Sequence, residues 1–209
     1  LQIDCRSLEY QHYPFDRNDV KIVLCDTQVR RELASSEYNK RREQCNKGVE
    51  AIQRHEDGIQ SLRDVTFEML EKHKSEMDEV VYRRSRYVLE ENQRVQNACQ
   101  NLLQGNFEKF GQLMYQSHEG LRDDYEVSCE ELDVLVDEAT KFDGVLGARM
   151  MGGGFGGCTI NLVEEDAVDE FKEKISERYK ERTGKEISVY LTQIDAGTEV
   201  WNNKKEPAK

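Results

Sequence analysis

Apolar positions along the chain change period several times, and each change marks a predicted element. Residues 1–13 alternate weakly and predict a short hairpin with Ser7 to Glu9 near its turn, followed by a connector from Pro14 to Asp19. Val20-Lys21-Ile22-Val23-Leu24-Cys25 is compact and largely apolar, the pattern of a buried strand. From Leu33 the period becomes helical, with Tyr38, Arg41 or Arg42, Cys45, Val49 and Ile52 on one face at three- and four-residue steps. Gly58 breaks that helix. Thr66 to His73 predicts a short helix, and Met77, Val81, Val88, Val95, Cys99 and Leu102 predict a long one from about Ser75 to Gln104. After Gly105, Phe107, Phe110, Met114 and Leu121 carry a helix containing His118, whose place on an amphipathic face reads as structural. Ser128 and Glu131 have the spacing of a capping box, with Ser128 at the N-cap, ahead of a helix with Leu132, Leu135, Val136 and Ala139 on its apolar face.

Two apolar runs follow, Val145 to Met151 and Thr159 to Val163, read as strands on either side of a glycine-rich loop. Val168, Phe171, Ile175 and Tyr179 predict a helix stopped near Gly184, and Ile187, Val189 and Leu191 alternate as a final strand. Without the inserted helices, the order is strand, helix, strand, strand, helix, strand. That is the split βαββαβ, ferredoxin-like arrangement, an antiparallel sheet with helices on one face, and the expected class is α+β. The expected organisation is one domain over residues 1–201 and a frayed polar tail over 202–209.

The loop between the two strands carries the candidate chemistry. Gly152, Gly153, Gly154, Gly156 and Gly157 place five glycines in six positions. Glycine serves where φ must be positive or another group must approach the backbone, and unblocked N–H groups in such a loop can cradle an anion. Gly152-x-Gly154-x-x-Gly157 matches the dinucleotide fingerprint in letters, but that fingerprint needs a helix at its last glycine, and β-branched residues follow here. No Lys-Ser or Lys-Thr follows, so a Walker loop is excluded. A plain hairpin connection and an anion site remain open on spacing. The number of glycines exceeds what a hairpin needs and favours a site.

Composition narrows the partners. The 209 residues carry a net charge of −12 with 34% charged residues, which argues against binding nucleic acid non-specifically or docking on anionic membranes. No apolar run reaches membrane-spanning length. The six cysteines, with no C-x-x-C pair, predict buried reduced thiols in a cytoplasmic protein, not a zinc site or disulfide scaffold. Leu1 to Cys5 reads as a strand entered part-way, so preceding sequence is expected. In the first helix, a tyrosine such as Tyr38 is ordinarily core, and the Arg41-Arg42 pair ordinarily a solvated face. Arg84, Glu91 and Asn92, on or beside the stripe of the long helix, read as partly exposed or internally paired.

The segment from Gly147 to Cys158 resembles the third motif of the GHMP small-molecule kinases. Ala34 to Arg42, Val88 to Val95 and Ser117 to Leu132 resemble the galactokinase branch in particular, and the resemblance runs from the first residues to about Trp201. The family's Gly-Glu-His-Thr-Asp-Tyr sugar segment and Gly-Leu-Ser-Ser-Ser phosphate loop do not occur here. The resemblance therefore implies the C-terminal domain of such a kinase, with catalytic base, phosphate loop and metal ligands in an N-terminal half that is its partner. The implied reaction transfers the ATP γ-phosphoryl to the anomeric hydroxyl of α-D-galactose with Mg2+, giving galactose 1-phosphate. It implies a galactose contact for Tyr38, an active-site role for Gly152, Gly153, Gly154, Gly156 and Gly157, and no catalytic residue in this chain. A kinase for N-acetylgalactosamine and a non-catalytic galactose-sensing regulator are the alternatives.

Overall fold

The computed structural model describes residues 1–29 and 34–194. The expected boundary at 201 and the polar tail lie outside the described residues. The first two strands, β1 (Gln2–Ile3) and β2 (Tyr10–Gln11), pair antiparallel as the expected hairpin. The hairpin is held to the segment after the first helix by crossed ion pairs, Arg6 with Asp64 and Arg63 with Asp4.

The main sheet contains β3 (Val20–Asp26), β4 (Val145–Met150), β5 (Cys158–Glu164) and β6 (Ser188–Thr192), in the order β4-β5-β3-β6 with every pair antiparallel. That order is the split βαββαβ topology, so the α+β expectation holds. Strand alternation splits the apolar residues between two faces. Val23, Cys25, Ala148 and Val163 pack under α5 (Glu130–Ala139) and α6 (Val168–Thr183), against Leu135, Phe171, Ile175 and Tyr179.

The helices are not confined to that face. Val20 and Leu162 turn to the other side and pack with Met114 and Phe110 of α4 (Phe107–Asp123). Contact is closest where two glycines meet. A Cβ on Gly111 would lie 1.9 Å from Leu146 O, and one on Gly147 2.4 Å from Gly111 Cα. No side chain fits between helix and strand there, which lets α4 lie directly on β4.

A second layer comprises α1 (Ala34–Gln53), α2 (Phe67–Lys72) and α3 (Glu79–Leu103), which share a core including Ile52, Leu70 and Leu89. The long helix begins later than its apolar stripe predicts, because the Asp78 side chain caps it by accepting the Val81 N–H at 2.8 Å. Met77 therefore lies outside it. The expected capping box of α5 is absent. Cys129 is its N-cap residue, and Ser128 Oγ donates to Asp133 Oδ1 at 2.5 Å instead of accepting a backbone amide. No disulfide joins any of the six cysteines; only Cys25 and Cys129 are buried, and Cys5 is exposed.

Candidate functional site

The glycine loop links β4 to β5 and bends almost entirely through positive φ. Gly152, Gly154, Gly156 and Gly157 have φ of 76°, 85°, 132° and 86°, and Phe155 joins them at 62°. A non-glycine residue there is strained by about 1–3 kcal/mol and persists only where its surroundings hold it. Phe155 is held by burial of its ring among Tyr87, Leu121, Val127, Leu132 and Met150, and by its N–H, which donates to Val127 O at 2.7 Å.

The five glycines do different jobs. Gly154 and Gly156 are pressed against the chain's own backbone, since a Cβ would lie 2.0 Å from Val127 O at Gly154 and 2.4 Å from Val29 O at Gly156. Gly157 is tied to the end of β3, its N–H donating to Val29 O at 3.2 Å and its carbonyl accepting from Thr27 N at 3.0 Å and Thr27 Oγ1 at 2.8 Å. A Cβ on Gly152, Gly153 or Gly157 would meet open space. Among the described residues no acceptor is set against the N–H groups of Gly152, Gly153, Gly154 and Gly156. Part of the nest is thus consumed in bracing the loop, and part is left with donors to spare for an anion.

Tyr38 lies in the second turn of α1 and is 52% exposed, so it is not a core residue. It lines an open groove of about 1600 Å3 together with Arg42, Asn46, Asn92 and Tyr125, walled on one side by the N-terminal hairpin. None of the loop glycines lines that groove. The two candidate features are joined through a third, the turn at residues 125–127.

Arg41 makes that junction. It is 8% exposed, contrary to the solvated face expected of the Arg41-Arg42 pair, and only Arg42 is exposed. Its Nε donates to Tyr125 O at 2.9 Å, Nη2 to Glu126 O at 2.6 Å and Nη1 to Glu37 Oε2 at 2.9 Å. The guanidinium also faces the Phe155 ring, with Cζ 5.6 Å from its centroid. The sequence signals for this were the helical period, which put Arg41 or Arg42 on the face of Cys45, Val49 and Ile52, and Glu37 at the i,i+4 spacing from Arg41.

The turn itself carries Glu126 at φ 55°, with its side chain paired to Arg83 and to buried Arg84. The Arg84 hydrogen bond, against the opposing effect of burial, keeps the Glu126 carboxyl below the usual carboxylate range. Burial pushes the Tyr125 hydroxyl well above its ordinary value, and that hydroxyl lies 3.6 Å from Cys45 Sγ. Arg84 and Glu91 are internally paired as expected, Glu91 through Arg94 and Ser117.

Among the described residues no group of three or more His, Cys, Asp and Glu could hold a metal ion. No described helix is long and apolar enough to cross a membrane.

Comparison with known proteins places this architecture. Residues 98–181 match the GHMP kinases C terminal family. The chain is 40% identical over 197 residues to a galactokinase of Roseiflexus sp. (strain RS-1), covering 94% of this chain and 50% of the relative. It is 43% identical over 198 residues to a galactokinase of Clostridium perfringens (strain SM101 / Type A), covering 94% and 51%. A crystal structure of Lactococcus lactis galactokinase complexed with galactose superposes with a TM-score of 0.87 at 39% identity, over 92% of this chain and 50% of that one. The chain spans about half the length of the curated relatives it matches. Residues 98–181 thus match the C-terminal domain of the GHMP kinases, and the chain is similar over nearly all its length to galactokinases.

Proposed function

We propose that this chain is the C-terminal part of a cytoplasmic galactokinase, transferring the ATP γ-phosphoryl to the anomeric hydroxyl of α-D-galactose to give galactose 1-phosphate. The observation that carries the reading is the Arg41 junction, which braces the glycine loop and the Tyr38 helix against one turn. The similarity to a galactokinase crystallised with galactose supports the choice of sugar.

Phosphoryl transfer depends mainly on positioning and on stabilising the charge of the transferred group. In this reading Tyr38, exposed on its groove, offers its hydroxyl to the sugar. The N–H groups of Gly152, Gly153, Gly154 and Gly156 stand toward the phosphoryl oxygens, and close packing of Gly154 and Gly156 fixes where they point. The base that takes the hydroxyl proton, the phosphate loop and any Mg2+ ligands belong to an N-terminal half of the same protein, so this chain has no catalytic residue and by itself is inactive.

Galactose-dependent ADP release by the intact protein tests the proposal, with N-acetylgalactosamine as competitor substrate. Turnover of galactose supports it. Preference for the acetamido sugar would reassign the substrate, and sugar binding without turnover would make the protein a sensor.

A further inference from the structure

We propose that His118 positions the glycine loop, its Nδ1 accepting the N–H of Met150. This inference rests on reading that loop as the phosphoryl side of the proposed kinase. The imidazole is 1% exposed, at a junction of α4, α5 and β4, where periodicity marks only a structural histidine. Met150 is the last residue of β4 and is itself fully buried, and its amide points away from β5, while the next amide, Met151 N–H, closes the ladder by donating to Cys158 O at 3.0 Å. The Met150 amide donates to His118 Nδ1 at 3.3 Å.

The other edge of the ring is also specified. Nε2 lies 3.2 Å from Asp133 Oδ1, off the line of a hydrogen bond, and Ser128 Oγ donates to that same oxygen. An imidazole accepting at Nδ1 and neutral must carry its proton on Nε2, the edge turned to the carboxylate. Asp133 therefore selects the tautomer that leaves Nδ1 free to accept. The Ser128 hydroxyl, diverted from the helix cap, fixes the carboxylate. Space-filling alone would explain a buried ring, but not one whose two nitrogens each meet a group of the required polarity. A side chain with no acceptor at the Nδ1 position would leave the Met150 N–H buried and unpaired, and the start of the loop held on one side alone, by the Met151 bond to Cys158 O.

Two substitutions separate these roles in the intact protein. His118→Asn keeps an acceptor near the Nδ1 position, whereas His118→Gln keeps a polar atom only near Nε2. Loss of one hydrogen bond predicts that His118→Gln raises amide exchange over residues 145–158 about two- to twelve-fold, with exchange over α6 unchanged. The same variant should lower kcat by a similar factor with little change in KM for galactose, and His118→Asn should restore both.

Unchanged exchange in His118→Gln, or equal effects of the two substitutions, would overturn the proposal. Nitrogen-15 spectra of the wild-type imidazoles give a check that needs no variant to fold, because a protonated Nδ1 on His118 would also overturn it. Absence of galactose turnover by the wild type would instead remove the kinase reading, with exchange and tautomer still deciding the place of His118.

Discussion

The guanidinium of Arg41 faces the ring of Phe155 across 5.6 Å, which puts the helix bearing Tyr38 in contact with the glycine loop. The same guanidinium holds two carbonyls of the turn whose third carbonyl, Val127 O, accepts the Phe155 N–H. One buried cation thus fixes two features that lie far apart in the chain. Its planar fork spreads its donors over three nitrogens in fixed directions, a reach that the single nitrogen of a lysine does not match.

Arg41→Lys keeps the charge and gives up that fork. At least one buried carbonyl of the turn then lacks its donor, at a cost of about 1–3 kcal/mol. Denaturant unfolding should show a loss of that size with the slope unchanged. A loss below about 0.5 kcal/mol would place Arg41 among ordinary solvated charges.

Gly154→Val tests the loop itself. Its φ of 85° is a conformation β-branched residues avoid, and a Cβ would meet Val127 O at 2.0 Å. We expect a local cost of about 1–3 kcal/mol, a large fall in kcat and retention of the rest of the fold. Near-normal activity would reduce the loop to a hairpin connection.

The elements were legible because each is announced by a period, and Val20 to Cys25 or Leu132 to Ala139 can bury their faces in few ways. The contacts that build the site follow no period. Arg41 and Arg42 are neighbours of the same type, yet only the structure shows that Arg41 points inward, because its acceptors are carbonyls of a distant turn. Glycine spacing marked the loop without separating Gly154 and Gly156, pressed on backbone, from Gly152 and Gly153, facing open space. Ser128 was misplaced as a cap because its carboxylate partner, Asp133, also faces His118 from the next helix.

Acid should weaken the contact of α5 with the segment after α6. Glu131 is 8% exposed, and burial alone would raise its pKa, but the bond from Lys185 and a backbone amide outweigh that and hold it at about 2. A carboxyl held below its unfolded value of about 4.3 stabilises the fold above that pH, and loses the contribution as pH falls toward about 2. Calorimetry from pH 7 to pH 2 should therefore show Glu131→Gln melting below wild type at neutral pH and the two curves converging in acid. A gap independent of pH would mean the pair contributes nothing through ionisation.

Tyr38→Phe addresses the sugar contact. The ring is 52% exposed on an open groove, so removing its hydroxyl should leave thermal stability unchanged. If that hydroxyl bonds galactose, the KM for galactose in the intact protein should rise by the worth of one hydrogen bond, about 0.5–1.5 kcal/mol or roughly two- to twelve-fold. The KM for ATP should move far less, because none of the loop glycines lines the groove that holds Tyr38. Equal rises in both constants would point to a shift of α1 through Arg41 and the 125–127 turn, not to a lost contact. No change in either would leave the groove without its sugar ligand on this helix, and Tyr38 would leave the site.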